Sequence, residues 1–146
     1  KLSTKARYGI RALLDIAQHN LEGPVLLREI AKRQDISRNY LEQILISLKA
    51  AGFVRSERGN RGGFILAKNP SEIRLDQAVQ VLEGKIALVE CVDDPKVCPR
   101  TSFCPTHELW GEVTAAMNQV LKSKTLQDLL ETQKQKGHPQ TAMYYI

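Results

Sequence analysis

The sequence predicts a mainly α-helical chain with one small β-hairpin, and three observations predict it. Apolar residues recur at helical spacing in three short segments before residue 52, a Gly- and Arg-rich run at 58–63 separates two strand-like stretches, and a longer apolar stripe begins near residue 107. At 146 residues and 42% hydrophobic content there is enough chain for one real core. No apolar run approaches the roughly 20 residues needed to span a bilayer, and no repeat or low-complexity tract is present. The net charge of +5 is unevenly spread: residues 1–69 hold 13 Lys and Arg against 6 Asp and Glu, residues 70–146 hold 8 against 10. The first half therefore suits a polyanion.

Ser3 is placed to cap a first helix in which Ala6, Ile10, Leu13, Leu14 and Ala17 form a stripe, with Lys5, Arg7 and Arg11 off it. Gly23-Pro24 ends that helix. A shorter second helix runs through Leu27, Glu29, Ile30, Ala31 and Arg33, with Ile30 and Ala31 inward and Glu29 four residues before Arg33, the spacing of a helical ion pair. A turn at Asp35-Ile36 leads to Ser37, cap of a third helix. There Leu41, Ile44, Leu45 and Leu48 face one way, and Arg38, Asn39, Glu42, Gln43 and Lys49 lie on or beside the opposite face. Two helices so joined make a helix-turn-helix pattern. Arg38 and Gln43 can donate to base edges in a major groove, and Glu42 can accept from cytosine.

Gly52 ends the third helix. Strand-like segments Phe53–Arg58 and Phe64–Ala67 flank Gly59-Asn60-Arg61-Gly62-Gly63, a turn of residues that tolerate positive φ. A hairpin placed directly after a helix-turn-helix is a wing, and its tip arginines Arg58 and Arg61 suit a phosphate strand or a narrow minor groove. The fold class is thus a winged helix-turn-helix with a further C-terminal helix. After Asn69-Pro70, residues Ile73–Leu75 are expected to return toward the sheet. Asp76 is expected to open a helix through Ala78, Val79, Val81 and Leu82 that stops at Gly84.

All three cysteines follow in one run, Cys91, Cys98 and Cys104, with six and then five residues between them, and two residues separate Cys104 from His107. Pro95, Pro99 and Pro105 exclude a continuous helix, so the cysteines are expected on a loop. Three cysteines leave one unpaired in any disulfide scheme, and the chain start carries no signal-peptide remnant, so a cytoplasmic, reduced setting is expected. Thiolates with imidazole suit zinc or an iron–sulfur centre. Structural zinc sites favour two-residue gaps, but on spacing alone both metals remain open, as do inert thiols. His107 is expected to open a helix on which Leu109, Trp110, Val113, Ala116, Met117, Val120 and Leu121 form a wide apolar stripe, longer than a winged domain needs and suited to a second copy. Thr125 with Asp128 signals one more helix through Leu126, Leu129 and Leu130. The divisions expected are a DNA-binding domain at 1–84, a ligand loop at 85–106, dimerisation helices at 107–136 and a loosely ordered tail at 137–146.

The chain resembles the IscR-like iron–sulfur cluster regulators, part of a winged-helix family that includes the nitric-oxide repressor NsrR and the cysteine-metabolism regulator CymR. The resemblance covers nearly the whole chain. It is carried by Leu2-Ser3-Thr4-Lys5-Ala6-Arg7-Tyr8, by Ile36-Ser37-Arg38-Asn39-Tyr40-Leu41-Glu42-Gln43-Ile44, by Arg58-Gly59-Asn60-Arg61-Gly62-Gly63-Phe64, and most specifically by Cys104-Pro105-Thr106-His107-Glu108-Leu109-Trp110. It implies a homodimeric transcription regulator, not an enzyme, with a [2Fe-2S] cluster on Cys91, Cys98, Cys104 and His107. The implied partners are a pseudo-palindromic DNA duplex and the iron–sulfur assembly machinery as cluster donor, with no membrane. The DNA interface is assigned to Arg7, Ser37, Arg38, Asn39, Tyr40, Glu42, Gln43, Arg58, Gly59, Asn60 and Arg61. Two departures stand out. Six residues separate Cys91 from Cys98 where IscR-like members usually have five, and Lys5-Ala6-Arg7-Tyr8 lacks the carboxylate that nitric-oxide-sensing relatives can use as a ligand. The latter favours the histidine-ligated [2Fe-2S] form over a [4Fe-4S] one. The implied role is repression or tuning of cluster-biogenesis genes. The alternatives are regulation of nitrosative-stress or cysteine genes and, from another class, a small electron-transfer or cluster-carrier protein.

Overall fold

Helix α1 (Thr4–His19) is the axis on which the winged half is built. In the computed structural model, which describes residues 1–58 and 62–137, α1 packs on α2 (Leu27–Gln34), α3 (Arg38–Ala50) and the second strand of the hairpin. Ser3 caps α1, its Oγ accepting from the Ala6 N–H at 3.1 Å. The buried face only partly matches the expected stripe: Ala6 and Leu13 are buried, Ile10, Leu14 and Ala17 are half-buried against the core, and Ala12 and Ile16, off that stripe, are buried in their place. Helix α2 ends where Asp35 takes a left-handed φ of 55° and its N–H reaches Ala31 O. Ser37 then caps α3 by accepting from the Tyr40 N–H at 3.3 Å, and Leu41, Ile44, Leu45 and Leu48 are all buried. Burying each such side chain contributes roughly 1.5–3 kcal/mol, so this stripe fixes the face that α3 turns outward.

The wing is the antiparallel pair β1 (Val54–Glu57) and β2 (Gly63–Leu66), with Val54 opposite Leu66 and Glu57 opposite Gly63. The first strand is one residue shorter at each end than the sequence suggested, and the second is shifted one residue earlier. Phe53 still joins the ladder's margin, accepting from Ala67 N–H at 3.0 Å. A third partner was not foreseen. Val25, in the linker before α2, exchanges two 2.8 Å backbone hydrogen bonds with Phe64. The backbones pass so closely there that a Cβ on Gly63 would lie 2.4 Å from Val25 O, so only glycine fits.

Residues Ile73–Leu75 do not return to the sheet. Arg74 forms a β-bridge with Thr125, Leu75 N–H donates to Lys124 O at 3.0 Å, and Leu126 N–H donates to Ile73 O at 2.9 Å. Ile73 and Leu126 are both fully buried, and this pairing satisfies backbone groups that burial would otherwise leave without partners. Helix α4 (Leu75–Glu83) starts one residue before Asp76. Asp76 instead sits in its first turn, gripped by Arg74 at 3.0 and 2.6 Å. Hydrogen bonding from Arg74 holds the Asp76 carboxyl below the usual carboxylate range.

Beyond Gly84 come a one-turn helix α5 (Glu90–Asp93), then α6 (Pro105–Lys122) and α7 (Leu126–Lys136). Helix α6 opens at Pro105, two residues before His107, because proline is suited to the first helical position. Its wide apolar stripe divides into two faces. His107, Trp110, Met117, Asn118 and Leu121 are half-buried around the buried Thr114, whereas Leu109, Val113, Ala116 and Val120 are exposed. Thr114 Oγ1 accepts from Leu88 N–H at 3.1 Å and Asn118 Nδ2 donates to Ile86 O at 3.2 Å, strapping the 85–89 linker to the inner face. A reciprocal box of Thr125 and Asp128 caps α7, which folds back so that Leu126 enters the core beside α1. No described helix is long and apolar enough to cross a membrane. The tail beyond Gly137 lies outside the described residues.

Candidate nucleic-acid interface and cysteine site

The face of α3 opposite the core carries Arg38, Asn39, Glu42 and Gln43, all exposed. Arg38 and Glu42 do not pair with each other; among the described residues the ion pairs are Arg33–Asp15, Arg74–Asp76 and Lys85–Asp93, with the His19 ring 3.6 Å from Asp15. Their charged ends are therefore available to a partner. Ser37 is exposed but spends its hydroxyl on the cap. Tyr40 is half-buried, its ring 6.0 Å from Tyr8, which in turn lies 5.1 Å beneath the Arg11 guanidinium. Arg7 is exposed on α1, donating to Thr4 Oγ1 at 3.3 Å. Arg58 is exposed where β1 gives way to the tip, while Gly59, Asn60 and Arg61 lie outside the described residues.

Two features at this interface escaped the sequence reading. Lys49, assigned to the outer face of α3, donates from Nζ to Ser56 Oγ at 2.8 Å and so ties the end of α3 to the wing. Past buried Val54 the whole of β1 is exposed, Arg55, Ser56 and Glu57 alike, which adds Arg55 to the wing arginines Arg58 and Arg61 named from the sequence. Beneath the helix pair lies a larger omission. Asp15, only 1% exposed, receives Arg33 Nε at 3.0 Å, Arg33 Nη2 at 2.8 Å and Gln34 Nε2 at 2.9 Å. Arg33 was expected to pair with Glu29. The buried carboxylate wins because an uncompensated charge in the core is far costlier than an exposed helical pair. Hydrogen bonding to Asp15 raises the Arg33 pKa, with Glu29 acting on it only through space. Gln34 also receives Arg11 on both its side-chain and main-chain oxygens, so the angle between α1 and α2 is held by one polar network.

The cysteine segment is not one loop. Cys91 lies in α5, Cys98 ends a single turn of tight helix at Pro95–Val97, and Cys104 is the residue from which α6 starts. Prolines permit this because each stands at the first position of a short turn or helix. Helices α5 and α6 are in contact, and His107 Nδ1 approaches Cys91 Sγ at 3.2 Å. Cys104 Sγ meets Thr106 Oγ1 at 3.0 Å. That hydroxyl, with the His107 backbone N–H and the charge of Arg100, draws the Cys104 thiol below its ordinary range, toward the thiolate that binds metals. All three cysteines are free and half-buried. Of the four expected ligands the fold thus brings two together, and among the described residues no three Cys, His, Asp or Glu side chains form a ready metal-binding group. The donor set, three thiols and an imidazole on adjoining short elements, fits an iron–sulfur centre or zinc in its chemistry.

Comparison with known proteins agrees with the fold. The chain is 44% identical over 130 residues to protein rrf2 of Nitratidesulfovibrio vulgaris, covering 89% of this chain and 87% of that one. It is 38% identical over 146 residues to the HTH-type transcriptional regulator CymR of Bacillus subtilis, covering 100% and 99% respectively. Among solved structures, IscR of T. potens superposes with a TM-score of 0.78 at 40% identity, covering 99% of this chain and 96% of that one. The resemblance to IscR and CymR and the winged-helix fold class both stand. Residues 2–132 match the Rrf2 model, described as an iron-dependent transcriptional regulator, and the chain belongs to the Rrf2 family of transcriptional regulators.

Proposed function

We propose that this regulator is a homodimer that represses or tunes iron–sulfur biogenesis genes, reading cluster supply through a [2Fe-2S] centre on Cys91, Cys98, Cys104 and His107. The observation that carries the reading is the 3.2 Å approach of His107 to Cys91, which already joins the first and last members of the ligand set across the α5–α6 contact. Such a centre would supply a redox- and oxygen-sensitive occupancy signal. Cys98 and Cys104 would turn onto the Cys91–His107 pair to complete the set, and the assembly machinery would serve as donor. Since α5 belongs to the linker after the winged domain and His107 to the first turn of α6, occupancy would fix the 85–106 segment against the dimerisation helix. A ligand shifts an equilibrium only by its differential affinity for two states, so the holo and apo dimers would differ in half-site geometry.

Protein purified without oxygen is expected to be coloured, with an electron paramagnetic resonance signal on reduction. Cys91→Ala, Cys98→Ala and Cys104→Ala should each abolish the colour. Stoichiometric zinc without iron would end the cluster reading. A cysteine-responsive role is the second reading. It is favoured by the full-length match to CymR, whose solved structure is described as that of the global cysteine regulator of B. subtilis.

On DNA, the dimer would place its two α3 helices in successive major grooves of a pseudo-palindrome, about 34 Å apart or a multiple. Arg7, Ser37, Arg38, Asn39, Tyr40, Glu42 and Gln43 would meet bases and phosphates, with Arg58, Gly59, Asn60 and Arg61 on the wing. Arg58→Ala should weaken binding across all sequences and reduce the salt slope. Gln43→Ala should relax discrimination at one base position by ~1–3 kcal/mol. Equal losses for both variants on specific and random duplexes, measured as titrations at several salt concentrations, would reduce the interface to a non-specific one.

A further inference from the structure

Ile46 is 61% exposed although it stands in the middle of α3, whose other aliphatic side chains Leu41, Ile44, Leu45 and Leu48 are buried. It projects away from the core, about 20° round the helix axis from Asn39 and about 40° from Glu42. Asn39, Glu42 and Gln43 share this outer face and are exposed with it. Among the described residues nothing accounts for a branched aliphatic residue there. It joins no core cluster, and β-branching slightly disfavours the helix.

A second protein surface is a poor occupant, because the surrounding side chains are charged or carboxamide-bearing and would lose water without matching partners. The floor of a major groove has the same pattern as this face: donors and acceptors throughout, with one apolar group, the C5-methyl of thymine. We infer that Ile46 is a specificity-determining residue that packs on a thymine methyl in each half-site, next to the bases read by Glu42 and Gln43. The inference rests on α3 being the helix that enters the major groove.

The test begins by selecting duplexes from a random pool with the full-length protein, purified without oxygen. Each thymine of the selected half-site is then replaced singly by deoxyuridine, which removes the methyl and leaves every hydrogen-bonding group. For the unaltered protein, one or two adjacent replacements should weaken binding about fourfold per half-site, the loss expected for one methyl-sized apolar group. With Ile46→Ala, which circular dichroism should show to be folded, those replacements should cost nothing, and selection should no longer enrich thymine there. A methyl effect that persists in the alanine variant, or no methyl effect at all on a well-enriched site, overturns the role of Ile46 while leaving the interface intact. A selection that enriches no sequence overturns both.

Discussion

Replacing Arg33 by alanine is expected to destabilise the protein by ~3 kcal/mol, because it leaves the Asp15 carboxylate in the core without its bidentate partner. Asp15 is 1% exposed and Arg33 supplies two of its hydrogen bonds, at 3.0 and 2.8 Å. Gln34 can retain its 2.9 Å bond and His19 lies 3.6 Å away, so the loss falls at the lower end of what breaking a buried pair costs. Urea unfolding should show a lower midpoint with an unchanged slope. The double variant Asp15→Asn, Arg33→Ala should recover part of the loss, since the residues left behind no longer include a stranded charge. A midpoint unmoved by Arg33→Ala would mean that Asp15 is served well enough by Gln34 and His19. Exposed Glu29→Ala, in contrast, should change stability by no more than a few tenths of a kcal/mol.

The second large effect is expected on assembly. Leu109, Val113 and Val120 are 48%, 37% and 59% exposed, and with Ala116 they recur at the alternating four- and three-residue spacing of a coiled-coil seam. If that seam closes the proposed dimer, Val113→Glu with Val120→Glu places carboxylates of both copies in one apolar interface. Sedimentation should then report a monomer. Affinity for the two-half-site duplex should fall by roughly 10²-fold or more, the advantage of holding two reading heads together, while binding to a single half-site changes little. A dimer that survives both glutamates would move the interface elsewhere.

The helix-turn-helix and the wing were legible because each rests on local rules. Ser3 and Ser37 are caps with a hydroxyl at the right place, Leu41 to Leu48 is one stripe, and a glycine-rich run between two strands has few other uses. What escaped is non-local. Arg33 has two acceptable carboxylates, one four residues away in sequence and one on another helix, and only burial decides between them. The single-residue bridges of Val25 with Phe64 and of Arg74 with Thr125 leave no periodic trace. The apolar residues of α6 were read as one broad stripe, although Thr114 and Asn118 mark an inner face that is strapped to the chain's own linker. In the cysteine segment, spacing named four side chains, of which only Cys91 and His107 lie together. Proline-started turns, and the Thr101 hydroxyl held by Pro95 O at 3.0 Å, set where the backbone runs.

The pairing of residues 73–75 with 124–126 also bears on how the chain acquires its structure. Ile73 and Leu126 reach the hydrophobic interior together, from opposite sides of everything between α4 and α6. The winged half is thus sealed by a segment synthesised after the long helix, and the two halves are expected to unfold together as one cooperative unit. Such a late closure is a contact of high sequence separation, whose loop entropy must be met before it rewards the chain. Nascent chains stalled within α6 would expose an unfinished interior, and limited proteolysis aimed at excising a minimal DNA-binding fragment would remove the piece that completes it. Slow amide exchange should consequently reach across both strips at the same opening free energy, with the first turn of α7 protected like the buried positions of α1.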